Sequence, residues 1–384
     1  MFFYKNTEGG VYLCSQLNLT MIKEIKIENF KSIQSLNLEL GRLNVFIGAN
    51  GSGKSNILEG IAFGGAAESD KLDNEFLAAR GIRIVKPKQM KAGFTTIQDE
   101  TIIVDIINNE TESLNEISWD GTRWIDSIRK LSDVLISEIN KGKTFSNPLE
   151  NNEILKLIEK IEKDRISFSQ FSKYLIFAPE NYFLRRFEEE SQIKPLGIRG
   201  EGLFSHIVDI YMEQPELYKK INEYLKLLDW FEGFEIPLDL MFTERRLDFK
   251  DAYLKDGIQY LDQRSVNEGA LYLLFYLTLF ISDKTPKFFA IDNIDNAMNP
   301  KLGSELIRVL SKLAKEHDKQ TILTTHNPSV LDGLDLSDDE QRLFVISRNK
   351  SGHTQAIRVP YKESDERLST RFIRGAIGGL PKNF

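Results

Sequence analysis

One eight-residue segment constrains this chain more than any other: Gly48-Ala49-Asn50-Gly51-Ser52-Gly53-Lys54-Ser55. It fits the pattern G-x-x-x-x-G-K-[ST] at every fixed position. The flanks agree with it. Leu43-Asn44-Val45-Phe46-Ile47 reads as a short buried strand, and Asn56-Ile57-Leu58-Glu59-Gly60-Ile61 as the opening turns of a helix. A strand, a glycine-rich turn and a helix N-terminus together aim backbone N–H groups at an anion. Gly48, Gly51 and Gly53 permit loop angles that side chains forbid. Lys54 then neutralises charge on β- and γ-phosphates, and the Ser55 hydroxyl ligates Mg²⁺. The loop predicts a site for ATP with Mg²⁺, built from Gly48, Asn50, Gly51, Ser52, Gly53, Lys54, Ser55 and Asn56.

Two later strands complete such a site. Lys287-Phe288-Phe289-Ala290-Ile291-Asp292 is an apolar strand ending in an acid, which predicts Asp292 as a second Mg²⁺ partner beside Ser55. Loop residues Asn293 to Asn299 follow, and a helix begins near Lys301 with Leu302, Leu306, Ile307, Leu310 and Leu313 on one face. Gln320-Thr321-Ile322-Leu323-Thr324-Thr325-His326 is another short apolar strand. It ends in a histidine placed to reach a γ-phosphate.

The rest of the chain sets bounds. A net charge of −7 argues against a wholesale basic nucleic-acid binder, though not against a local basic groove. Such clusters occur at Arg80, Arg83, Lys86, Lys88 and Lys91, and at Arg185-Arg186. The single cysteine, Cys14, permits no disulfide framework within the chain and suits a reducing, cytoplasmic setting. The longest apolar run, Ala270 to Ile281, is shorter than the roughly 20 residues of a membrane span and reads as a buried core helix, so no membrane partner is expected.

Along the chain, Ile25 and Ile27 alternate with Lys26 and Glu28, and Leu36, Leu38 and Leu40 with polar residues, which predicts half-buried strands. Thr101–Ile107 and Tyr174–Ala178 read as strands, Ile125–Ile139 and Asn151–Ser169 as amphipathic helices, 200–232 as helical, and Phe234–Tyr260 as strands with a turn at Asp256-Gly257. No sustained heptad pattern predicts a coiled-coil arm.

The order phosphate loop, insertion, apolar helix, acid strand, histidine strand resembles the ABC-type ATPase heads of the SMC, RecF and OLD family, and in particular its small prokaryotic members. The resemblance covers about residues 21–350. Its most specific parts are Ile25-Lys26-Ile27-Glu28-Asn29-Phe30-Lys31-Ser32 and Phe46 to Ser55; Pro195-Leu196-Gly197 with Gly200 and Leu203, and Thr325-His326-Asn327-Pro328, are similar too. It implies an α/β phosphate-loop NTPase: a mixed β-sheet flanked by helices, plus an antiparallel β portion and a helical insertion. The corresponding parts are an N-terminal extension over 1–20, a head from 21–65 and 175–350, an inserted, mostly helical lid over 66–174, and a tail over 351–384.

The family's signature segment, usually Leu-Ser-x-Gly, caps the γ-phosphate of ATP held by a partner subunit. Here Val266-Asn267-Glu268-Gly269-Ala270 stands in its place, with Gly269 kept, Asn267 where Ser is usual and Ser265 close by. The larger departure is Asn293, where the family has a Glu that deprotonates the attacking water. An amide orients water but takes no proton, which implies slow hydrolysis unless Asp295 acts as the base. The implied catalytic set is Lys54, Asp292, Asn293, Asp295 and His326.

Two functions are expected from the resemblance. One is a nucleotide-controlled homodimer or larger oligomer that regulates a separate effector protein in a prokaryotic anti-phage or toxin–antitoxin-like system. The alternative is a RecF-like repair or recombination ATPase that binds DNA directly. The short stretch after His326 leaves no room for the metal-binding nuclease domain of OLD proteins, so a nuclease within the chain is not expected.

Overall fold

The computed structural model describes residues 21–93, 101–108, 112–127, 130, 170–187, 193–237, 244–255, 260–363 and 366–379. A central six-stranded sheet runs in the order β14-β13-β3-β12-β11-β7. Its strands are β3 (Leu43–Ile47), β7 (Ile176–Phe177), β11 (Phe288–Ile291), β12 (Gln320–Thr325), β13 (Gln341–Arg348) and β14 (Thr354–Val359). All neighbours are parallel except β13 and β14. Such strands are covered on both faces, so they read as continuous apolar runs. Phe288, Ala290 and Ile322 pack into one core, whereas Phe289, Ile291 and Leu323 pack into the other.

On one side lies an antiparallel sheet in the order β2-β1-β4-β5-β6, formed by β1 (Glu24–Phe30), β2 (Ile33–Glu39), β4 (Ile102–Ile107), β5 (Glu112–Trp119) and β6 (Trp124–Asp126). Alternation fixes its register: Ile25 faces Leu38 and Ile106, and Ile27 faces Leu36 and Val104. Helix α1 (Lys54–Glu68) packs against both sheets and is buried on nearly every face. Gly64 permits this, because a Cβ there would stand 2.5 Å from Val104 Cγ1.

On the other side, α2 (Leu203–Glu213), α3 (Pro215–Leu225) and a small antiparallel sheet of β8 (Phe231–Glu235), β9 (Asp248–Asp251) and β10 (Tyr260–Asp262) enclose α4 (Glu268–Ile281). Every α4 residue from Gly269 to Ile281 is buried, as expected of a core helix. Among the described residues no helix is long and apolar enough to cross a membrane. Helix α5 (Pro300–Glu316) follows the acid strand, and α6 (Leu368–Ile373) lies in the tail.

The mixed sheet, flanking helices and antiparallel portion are those implied by the resemblance. Three local readings change. β4 to β6 join β1 and β2 in one sheet, so part of the 66–174 stretch belongs to the head, and Ile125 lies in β6 rather than a helix. Phe231 already opens β8, because its side chain is needed in the core beside Phe249. β14 lies within the stretch read as tail and completes the central sheet. The readings at 1–20, 128–129, 131–139, Asn151–Ser169 and Asp256-Gly257 lie outside the described residues.

Candidate nucleotide site

The site forms where β3, β11 and β12 end on the same edge of the sheet. Ile47 is registered with Thr325, and Ile291 with Leu323. The phosphate loop, Asp292 and His326 therefore leave the sheet side by side, at the carboxyl ends where α/β folds bind ligands. Gly53 opens α1 at φ +109°, and no side chain caps that helix. By contrast, Asp73, Asn267 and Asn299 cap the helices that follow them. The first N–H groups of α1 are thus left to an anion.

Surrounding residues brace the loop. The Thr354 hydroxyl donates to the Ser52 carbonyl at 3.2 Å and lies 2.7 Å from Ser32 Oγ. It also leaves no space for a Cβ at Gly53, where such an atom would be 2.0 Å from Thr354 Oγ1. Arg348 Nε donates to the Gly51 carbonyl at 3.0 Å. Asn56 Nδ2 donates to Ser32 Oγ at 2.6 Å, and Arg83 donates to Asn56 Oδ1 at 3.2 Å. The Asn56 side chain is thus part of the loop's support. Asn50 is exposed at the loop tip, and the buried Ser52 Oγ has no hydrogen-bond partner among the described residues.

The charged residues gather beside the loop. Lys54 Nζ donates to the Gly48 and Ala49 carbonyls at 2.8 and 3.2 Å and lies 3.5 Å from His326 Nδ1. Burial pushes its ammonium down to about 8, against the opposing pull of Asp292 and Asp295. Burial, then the charge of Lys54, lowers the His326 imidazole below its usual range. Asp295 acts electrostatically on both residues, yet its buried Oδ1 has no hydrogen-bond partner among the described residues.

Ser55 Oγ donates to Asp292 Oδ2 at 3.0 Å, and the Thr324 hydroxyl donates to Asp292 Oδ1. Thr324 Oγ1 in turn accepts the Asn293 N–H at 2.8 Å. Among the described residues no cluster of three or more His, Cys, Asp or Glu side chains is placed to hold a metal. Ser55 and Asp292 are the expected protein half of a magnesium site, since Mg²⁺ is commonly held by few protein oxygens together with phosphates and water. Asn293 has φ +58°, a left-handed conformation in which Asn and Asp are enriched. Its identity therefore suits the backbone at this turn.

Asn267 and Gly269 make no hydrogen bond to the phosphate loop among the described residues. Asn267 Oδ1 accepts the Gly269 N–H at 2.8 Å and caps α4, which leaves the amide NH₂ as its donor. A Cβ at Gly269 would stand 2.9 Å from the Ala297 carbonyl oxygen, so this segment packs on the loop that carries Asp295. Arg185 holds the approach to it, donating from Nη1 to the carbonyls of Gln263, Arg264 and Val266 at 3.1, 2.8 and 2.9 Å. Arg185 thus has an internal role in place of the surface role read from sequence. Arg80 is similar: it is buried, donates to the Ser172 carbonyl at 2.8 Å and stacks on Phe76. The sequence shows no role for Thr324, Thr354 and Arg348 and a different one for Arg185, because no local pattern shows which distant strand or loop they meet.

A profile of the family described as "AAA domain, putative AbiEii toxin, Type IV TA system" matches residues 43–332. The DNA replication and repair protein RecF of Clostridium tetani (strain Massachusetts / E88) is 23% identical over 266 residues, covering 66% of this chain and 65% of its own length. The chain thus spans just under two thirds of that relative. Septu protein PtuA of Bacillus thuringiensis is 21% identical over 340 residues, covering 82% of this chain and 73% of PtuA. Among solved structures, an SmcHead bound to the C-winged helix domain of ScpA superposes with a TM-score of 0.55 at 14% identity. That match covers 89% of this chain and 98% of the SmcHead chain.

Proposed function

The chain belongs to the AAA-domain family described as the putative AbiEii toxin of type IV toxin–antitoxin systems, with the fold of an SMC/RecF-like ABC-type ATPase head, and from that premise we propose that it is a slow ATP hydrolase that switches between open and closed dimers. The observation that carries the reading is the convergence of Lys54, Ser55, Asp292, Asp295 and His326 at the uncapped start of α1. Lys54 and the α1 N–H groups bind the phosphates, and Ser55 and Asp292 hold magnesium, which supplies charge neutralisation during phosphoryl transfer. His326, kept uncharged by burial and Lys54, contacts the terminal phosphate.

The slow step follows from Asn293, for which Asp295, two residues further along the loop, compensates only in part. Asn293 orients water without accepting its proton. Asp295, with an unanswered carboxylate oxygen beside Lys54 and His326, accepts the proton instead. General-base help is worth about 10²–10⁴-fold. Asp295→Asn is expected to lower phosphate release by about that factor while ATP affinity stays unchanged. Release at the wild-type rate in this variant would remove Asp295 from the mechanism.

Asn267 and Gly269 make no hydrogen bond to the chain's own phosphate loop among the described residues, which supports their pairing with the loop of a second copy. ATP touching both chains only in the closed state would shift the population toward it. Long-lived closure suits a regulator more than a motor. The family description supports placing that regulator in a toxin–antitoxin-like or anti-phage system with a separate effector.

A further inference from the structure

Away from the nucleotide site, a groove of about 710 Å³ runs between α5, the 3₁₀ turn Pro328–Gly333 and the tail that carries α6. Its acidic side chains already have partners. Glu305 pairs with Arg308, and Glu366 with Arg374 at 2.8 Å. Asp332 accepts the Ser369 N–H and hydroxyl at 2.9 and 2.8 Å, and Asp335 accepts the Ser337 N–H at 3.0 Å. Apart from Arg308, the basic side chains do not. Among the described residues, Lys301, Lys362, Arg367 and Arg371 have no ion pair and no side-chain hydrogen bond. Between these cations the walls are apolar: Leu334, Leu336 and Leu368 are half-buried, and Tyr361 at the edge is 59% exposed.

We propose that this groove docks an acidic peptide segment of a partner protein. Its carboxylates would answer the four free cations, and its apolar side chains would lie on the leucines. Charge complementarity selects an anionic occupant. The apolar walls select a peptide over a nucleic-acid backbone, which draws its affinity from phosphates along a basic track and needs no leucine surface. A concave space of this size holds a few side chains of an extended or helical segment and not a flat globular face. The docking does not depend on the nucleotide reading, so its test is run without nucleotide.

The probe is a fluorescein-labelled twelve-residue peptide with Leu at every third position and Glu or Asp elsewhere, titrated with the full chain and followed by anisotropy. Three competitors are the same peptide with Ser for Leu, a version with Lys for the acids, and a short DNA duplex. Saturable binding is expected that both altered peptides compete for poorly. Arg367→Glu/Arg371→Glu and, separately, Lys301→Glu/Lys362→Glu should each weaken it about tenfold or more, as loss of complementary charge across an interface does. Unchanged thermal unfolding of both variants would show that the fold is intact. Four results would each overturn the proposal: no saturable binding, equal affinity in both charge-reversed variants, equal competition by the Ser-containing peptide, or displacement by the duplex at lower concentration than by the unlabelled acidic peptide.

Discussion

Thr324 shows how one buried hydroxyl can organise a site. It donates to Asp292 and accepts from the Asn293 N–H, and so fixes the carboxylate and the turn after it together. Outer partners of metal-binding carboxylates typically carry about 10–100-fold in metal affinity. Thr324→Val should raise the Mg²⁺ concentration needed for half-maximal phosphate release by about that factor, and Thr324→Ser should restore it. Lys54 gives a pH prediction. Without nucleotide its ammonium titrates at about 8, lowered mainly by burial. Phosphates favour the charged form, so binding raises that value and takes up protons wherever free Lys54 is partly neutral. Calorimetry near pH 8.5 in buffers of different ionisation enthalpy should show uptake of a fraction of a proton per ATP, and near pH 6.5 almost none.

At the scale of elements, close contact between α1 and the antiparallel sheet holds the start of α1 in place. Gly64→Ala would force its Cβ against Val104 and should cost about 1–3 kcal/mol, as overpacking does, read as a lower unfolding midpoint with the denaturant slope unchanged. Arg185 fixes the segment before Asn267. Arg185→Leu would leave three carbonyls without their donor and should impair ATP-driven association more than ATP affinity. The sequence was most legible where local pattern and chemistry coincide. Gly48–Ser55 with its flanks, the alternation at Ile25 and Ile27, and the apolar α4 all carried their own signals. β5 and β6 did not, because Ser113, Asn115 and Glu116 interrupt the apolar alternation, and the strand character here comes from pairing with β4 and between β5 and β6 themselves. The part played by Arg185 was hidden for a different reason: the carbonyls it holds lie about eighty positions away.

At the scale of the molecule, the proposed function makes the site half of a pair. One edge of the central sheet presents the phosphate loop with Asp292, Asp295 and His326, while Asn267 and Gly269 stand at the start of α4 with no bond to that loop among the described residues. Arg80 and Arg185 are committed to carbonyls of the chain itself, which removes these two side chains from the basic surface that the sequence offered. The central claim is that ATP closes two copies around the nucleotide. It is tested most directly by sedimentation velocity on the full chain, without nucleotide and with ATP and Mg²⁺, beside Lys54→Ala and Gly269→Arg. ATP should shift the wild-type chain toward the dimer and leave Lys54→Ala unshifted. Gly269→Arg, which keeps its own phosphate loop, should still bind ATP but fail to associate. A wild-type mass unchanged by ATP while ATP is bound, or ATP-driven association that survives Gly269→Arg, would contradict the closed-dimer account.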